Sequence, residues 1–150
     1  MKVTQVLVCS LLAGCAAAPA LASLGGDPTS VEADRASMKG ALRVTPTVDY
    51  TVHEIQTPVG TVVREYISPQ GKVFAVSWRG PGIPDLRQVL GSYYGEFDQA
   101  ATSTPSRNHH HRSIRTPGVI VESSGHLRTF SGRAWAPALL PANFSASDIT

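Results

Sequence analysis

Three runs rich in β-branched and aromatic residues follow one another between Tyr50 and Arg79: YTVHEIQ, TVVREYIS and KVFAVSWR, separated by TPVG and SPQG. Each connector puts proline second and glycine fourth. Proline holds the φ of a type I turn, and glycine accepts the left-handed conformation that returns the chain as a hairpin. The spacing therefore predicts a three-stranded antiparallel meander. In the third run Phe74, Val76 and Trp78 alternate with Val73, Ala75 and Ser77, so both faces of that strand are expected to be partly buried.

The sheet signal stops at Gly80, Pro81, Gly82 and Pro84. Asp85 then stands as a helix cap, with Gln88 placed to reach back to it. Leu86, Val89, Leu90, Tyr93, Tyr94 and Phe97 recur at helical spacing, which describes one amphipathic helix lying on a flat surface. Gly91 is expected to allow that helix close to the sheet, and Gly95 to end it. Upstream, Thr29 and Glu32 have capping-box spacing, and a short amino-terminal helix is expected over about 30–39, closed by Gly40. Its apolar face is thin, which places it at the core's edge. Residues 98–117, DQAATSTPSRNHHHRSIRTP, lack apolar periodicity and read as a long mobile loop. GVIVESS and LRTFSGRAW, joined by GH, form a further hairpin, and APALLPANFSASDIT is expected to lie extended over the core. The sum is an α+β domain: a small antiparallel sheet of meander plus hairpin, one amphipathic helix on a face, and a short helix before it.

The first 22 residues have the grammar of a signal peptide: Lys2, an apolar stretch from Val6 to Ala18, the breaker Pro19 and the small triplet Ala20-Leu21-Ala22. Leu12-Ala13-Gly14-Cys15 overlaps it as a lipobox-like alternative. The proline and the small triplet favour cleavage after Ala22 over lipidation at Cys15. Residues 23–150 then form a single exported domain, and no later apolar stretch has the length of a transmembrane segment. Both cysteines, Cys9 and Cys15, fall within the removed segment. Such a chain has neither disulfides nor thiolate chemistry, and core burial must hold it together. With 13 Lys and Arg against 11 Asp and Glu, the charge balance gives no footprint for nucleic acid.

Motifs for catalysis are sparse. HEIQT, from His53, has half of a zinc-protease signature on a segment that alternates as a strand. No phosphate loop and no nucleophile elbow appears. His109, His110 and His111 are weak metal candidates, since consecutive imidazoles on a loop do not by themselves enclose an ion, and no cofactor is implied. Arg64 and Glu65 are neighbours on a strand and must face opposite sides, so one of them is expected to find a partner inside or at the rim. Trp78-Arg79 offers a recognition spot for a peptide, glycan or anionic lipid. The same arginine also suits an ion pair to Asp85 or Glu96 that stitches strand to helix.

Two blocks, GTVVREYISPQGKVFAVSWRGPGIPDLRQVLGSYYGEF and VIVESSGHLRTFSGRAWAPALLPANFSASDI, together with SLGGDPTSVEADR, resemble a bacterial family of exported proteins catalogued only as a domain of unknown function. The resemblance implies a small exported domain whose mature chain begins close to Leu24-Gly25-Gly26. It implies no activity and no site residue. The leading expectation is a non-catalytic binding or assembly module of the bacterial periplasm, holding a cell-envelope protein or glycan through a sheet edge or through Arg64, Glu65, Trp78, Arg79 and Asp85. The alternatives are an envelope enzyme assembled in space from His53, Glu65, Asp85 and Ser77 or Ser131, and a metal- or pH-responsive protein acting through the histidines.

Overall fold

The structure, a computed structural model, describes residues 24–104 and 111–150. The expected targeting segment, Cys15, His109 and His110 lie outside the described residues. Seven strands form one antiparallel sheet: β1 (Ala41–Pro46), β2 (Thr51–Gln56), β3 (Val62–Ile67), β4 (Val73–Gly80), β5 (His111–Arg115), β6 (Ile120–His126) and β7 (Thr129–Trp135). Their order is β1-β2-β3-β4-β7-β6-β5. The expected three strands and a hairpin are thus part of a larger sheet. The two Pro-x-x turn glycines do what their position demands: Gly60 and Gly71 have φ of 89° and 71°, and their N–H groups close on the carbonyls of Thr57 and Ser68.

Two strands escaped the pattern. β1 is exposed at nearly every position, so its sequence, ALRVTP, shows no buried stripe. β5 occupies the end of the stretch expected to be a loop over 98–117, and residues 98–103 belong to a helix. Its two arginines and one histidine hide an edge strand that buries only Ile114.

One face of the sheet carries the helices. Helix α1 (Pro28–Ser37) is capped by Asp27, whose carboxylate accepts from the N–H groups of Thr29 and Ser30. The expected Thr29–Glu32 box does not form, and Glu32 pairs with Arg35 instead. Asp85 caps α2 (Leu86–Leu90) by accepting from Arg87 N–H. Gly91 then takes a left-handed φ of 51° and breaks the helix, which resumes after one 3-10 turn as α3 (Tyr94–Ser103). The expected single helix is therefore interrupted at Gly91, and Gly95 lies inside α3 rather than ending it. Val89 and Leu90 sink into the main core with Val31, Ile55, Val63, Val76, Trp78, Val121 and Ala134. Tyr93, Tyr94 and Phe97 pack at its margin, as the helical spacing predicts.

The opposite face carries the carboxyl-terminal segment. Phe144 and Ile149 pack with Tyr66, Phe74, Ala75 and Trp135 in a second cluster. Phe144 meets Tyr50 and Phe74 edge to face, with ring centroids 5.1 and 4.7 Å apart. Phe74 is not on the side that strict alternation predicts. Tyr66 pairs with Ala75 while Ile67 pairs with Val73, so Phe74 is an extra residue, a bulge that turns its ring toward the tail.

Candidate functional site

Strand register sorts the tail-side face into three cross-strand rows. The first, Tyr66, Ala75, Trp135 and Ile120, is apolar and lies under the tail. The second runs Glu54, Arg64, Ser77, Arg133, Glu122 and Ser113. Its charges cancel locally. Arg64 Nε donates to Glu54 at 2.7 Å, and Arg133 donates through Nε and Nη2 to Glu122 at 3.0 and 2.8 Å. Arg115 takes the other oxygen of Glu122 at 2.8 Å. The tail is tied to this row by the Thr150 carbonyl, which accepts from Arg64, Tyr66 and Ser77 at 2.9, 3.0 and 2.8 Å.

The third row is Val62, Arg79, Ser131, Ser124 and His111. It forms the open end of a groove of about 290 Å³ whose wall includes Ile149 and Thr150. Ser124 and Ser131 share a hydrogen bond of 2.9 Å, and Arg79 is exposed. Among the described residues no carboxylate pairs with Arg79: Asp85 is spent on its helix cap, and Glu96 accepts from the Gly118 N–H.

The remaining sequence candidates are dispersed by the sheet. Arg64 and Glu65 face opposite sides, Arg64 toward the tail and Glu65 toward α1. Glu65 is 1% exposed and Asp34, on α1, is 0% exposed. The two carboxyls are hydrogen-bonded to each other, and Gln88, instead of completing the α2 cap, donates to Asp34. Loss of water pushes the Glu65 acid up to about 9 and Asp34 up to about 6, with the second carboxyl adding to the effect on Glu65. Asp34 Oδ2 and Glu65 Oε2 meet no donor among the described residues, and a proton held between the two carboxyls supplies one. His53 sits opposite Glu65 in the register, and burial holds its imidazole below its ordinary pKa.

Trp78 and Arg79 also diverge. The indole is 2% exposed in the helix-side core, its ring against Gly132, while Arg79 faces the groove. The aromatic partner of an arginine on the tail-side face is Trp135, 5.5 Å under Arg133. His53 and Glu65 lie on the helix side, Ser77 and Ser131 on the other, and Asp85 in the connection to α2, so the sheet separates the components of the imagined hydrolase. His111 is exposed on β5, adjacent to Ser124.

Sequence reasoning missed Asp34, because a lone aspartate on a weakly apolar helix reads as solvated. Its signal was the charge of Glu65 on a strand that had to be covered. The polar row was equally hidden, since register alone brings residues 62, 79, 111, 124 and 131 together.

No curated protein and no solved structure matches the chain. The sequence pattern of the family described as a protein of unknown function (DUF2844) matches residues 20–149, almost the full length, and the chain belongs to that family.

Proposed function

We propose that the protein is exported and works in the cell envelope as a binding module rather than an enzyme, presenting the open end of its tail-side face to an envelope protein or glycan. The observation that carries this reading is the unequal covering of that face. Its apolar row is sealed by the tail and its middle row is neutralised by ion pairs, while the last row is polar, accessible and unneutralised. A closed catalytic site would need convergent polar groups, and the sheet keeps His53 and Glu65 apart from Ser77 and Ser131. Export is supported by the apolar stretch from Val6 to Ala18 and by a family match that begins at residue 20, beyond that stretch.

Cross-linking and affinity capture from native envelope, with the exported protein as bait, tests the function. Recovery of one specific envelope component is the expected result, and recovery of none overturns the reading. Intact mass of the exported chain tests the processing: a start at Ser23 is expected, and an acylated Cys15 would replace the free module with an anchored one.

A further inference from the structure

The unneutralised row is specific enough to name a ligand. We infer that Arg79, Ser131 and Ser124 form a binding site for an oxyanion, carboxylate or phosphate, carried on an oxygen-rich ligand of the acidic-saccharide kind. The inference rests on the binding-module reading and gives it a ligand chemistry.

Register supplies the geometry. Arg79 pairs with Ser131, Ser131 with Ser124, and Ser124 with His111, so the four residues cross β4, β7, β6 and β5 in a straight line. Strands lie roughly 4.8 Å apart, which makes the line about 14 Å long from Arg79 to His111. That span accommodates a sugar ring beside an anionic group, and a groove of about 290 Å³ has room for them.

Charge supplies the chemistry. In the neighbouring row Glu54 and Glu122 answer Arg64 and Arg133, and Glu122 is further occupied by Arg115. Arg79 is the guanidinium facing this groove that has no described carboxylate. Its planar fork of donors matches a carboxylate or phosphate in two parallel hydrogen bonds. The serine pair continues the recognition. One hydroxyl hydrogen is used between Ser124 and Ser131, which leaves a second to donate outward and lone pairs on both oxygens to accept. Val62, at the start of the row, adds an apolar contact for a ring face. A bare anion needs only the arginine, whereas a ligand with hydroxyl groups next to its anion uses the whole row.

The test is a titration of the purified exported chain at low salt with galacturonate, inorganic phosphate and neutral galactose, followed by calorimetry and by amide chemical shifts. Galacturonate is expected to bind with shifts confined to β4, β7 and β6, and galactose to bind at least tenfold more weakly. Arg79→Gln should weaken galacturonate about tenfold or more, the size expected from losing a charge-assisted hydrogen bond. Because Arg79 is exposed, its replacement should leave the unfolding midpoint in place, and that control separates lost binding from lost fold. Ser131→Ala should weaken galacturonate several-fold and leave phosphate unchanged. Equal binding by wild type and Arg79→Gln overturns the site. Binding of phosphate as tight as galacturonate, insensitive to Ser131→Ala, overturns the oxygen-rich ligand and leaves a simple anion contact. Envelope capture with Arg79→Gln distinguishes the two proposals: the same partner recovered by variant and wild type keeps the module and removes this site from it.

Discussion

A carboxyl group sealed beneath a helix must keep its proton or disturb its surroundings. Glu65 has an ordinary value near 4.5 and is raised to about 9 in the fold, and Asp34 goes from 3.8 to about 6. Between the unfolded and folded values the native state holds protons that the unfolded chain has released, so unfolding is favoured as pH rises. The contribution of the pair is greatest below about pH 4 and is lost progressively until Glu65 ionises near pH 9. Urea midpoints measured from pH 5 to 9 are accordingly expected to fall continuously as pH rises. Glu65→Gln, which keeps a hydrogen-bond donor toward Asp34 and cannot ionise, should flatten most of that slope; an unchanged slope would contradict the shared proton. Gly132 makes a second prediction at this scale. A Cβ there would overlap the Trp78 ring and the Glu122 carbonyl, in the middle of the sheet where neither moves freely. Gly132→Ala is expected to cost about 2 kcal/mol or more in chemical denaturation.

Among the elements, the tail acts as a cover for half of one sheet face. Phe144 is 9% exposed and meets three aromatic rings, so Phe144→Ala should destabilise by about 3 kcal/mol and expose an apolar surface that binds a hydrophobic dye. Tyr66→Phe removes one hydroxyl that both donates to and accepts from Thr150, and should cost about 1 kcal/mol in the same assay. The elements legible in the sequence were those with strong periodicity or defined turn chemistry. β2, β3 and β4 with their Pro-x-Gly connectors and the 86–97 helical face announced themselves locally; the β6–β7 hairpin did so too, but its turn is Leu127-Arg128, with φ of 41° and 69°, and not the expected Gly125-His126, which pair with Phe130 and Thr129. β1 and β5 did not, because an edge strand with one buried residue or none has no alternation to read. The bulge at Phe74 was equally silent, since it arises from pairing with β3 and not from the residues around it. The division of Arg64 from Glu65 followed from strand geometry alone, but the identity of the carboxyl above Glu65 depended on where α1 crosses the sheet. The groove is the extreme case: its five row residues come from five strands, and no spacing within the chain connects them.

At the scale of the whole molecule, the strand order describes two meanders, β1 to β4 and β5 to β7, joined by the single pairing of β4 with β7. The joint is covered on both sides, by helices and Trp78 on one and by Phe144 and Trp135 on the other. Hydrogen exchange should therefore be slowest in β3, β4 and β7 and fastest in the edge strands β1 and β5. Uniform protection across all seven strands would contradict this layering. The way the chain enters the domain has a separate consequence. Leu24 N–H donates to Val89, Gly25 N–H donates to Val73, and Val73 N–H returns a bond to Gly26, so the chain is clamped at the beginning of β4. Arg79 is six residues further along the same strand, about 20 Å away, and faces the other side of the sheet. A lipid, a tag or a solid support attached upstream would thus hold the domain by its root and leave the arginine-serine row at the far tip, turned toward whatever passes in solution.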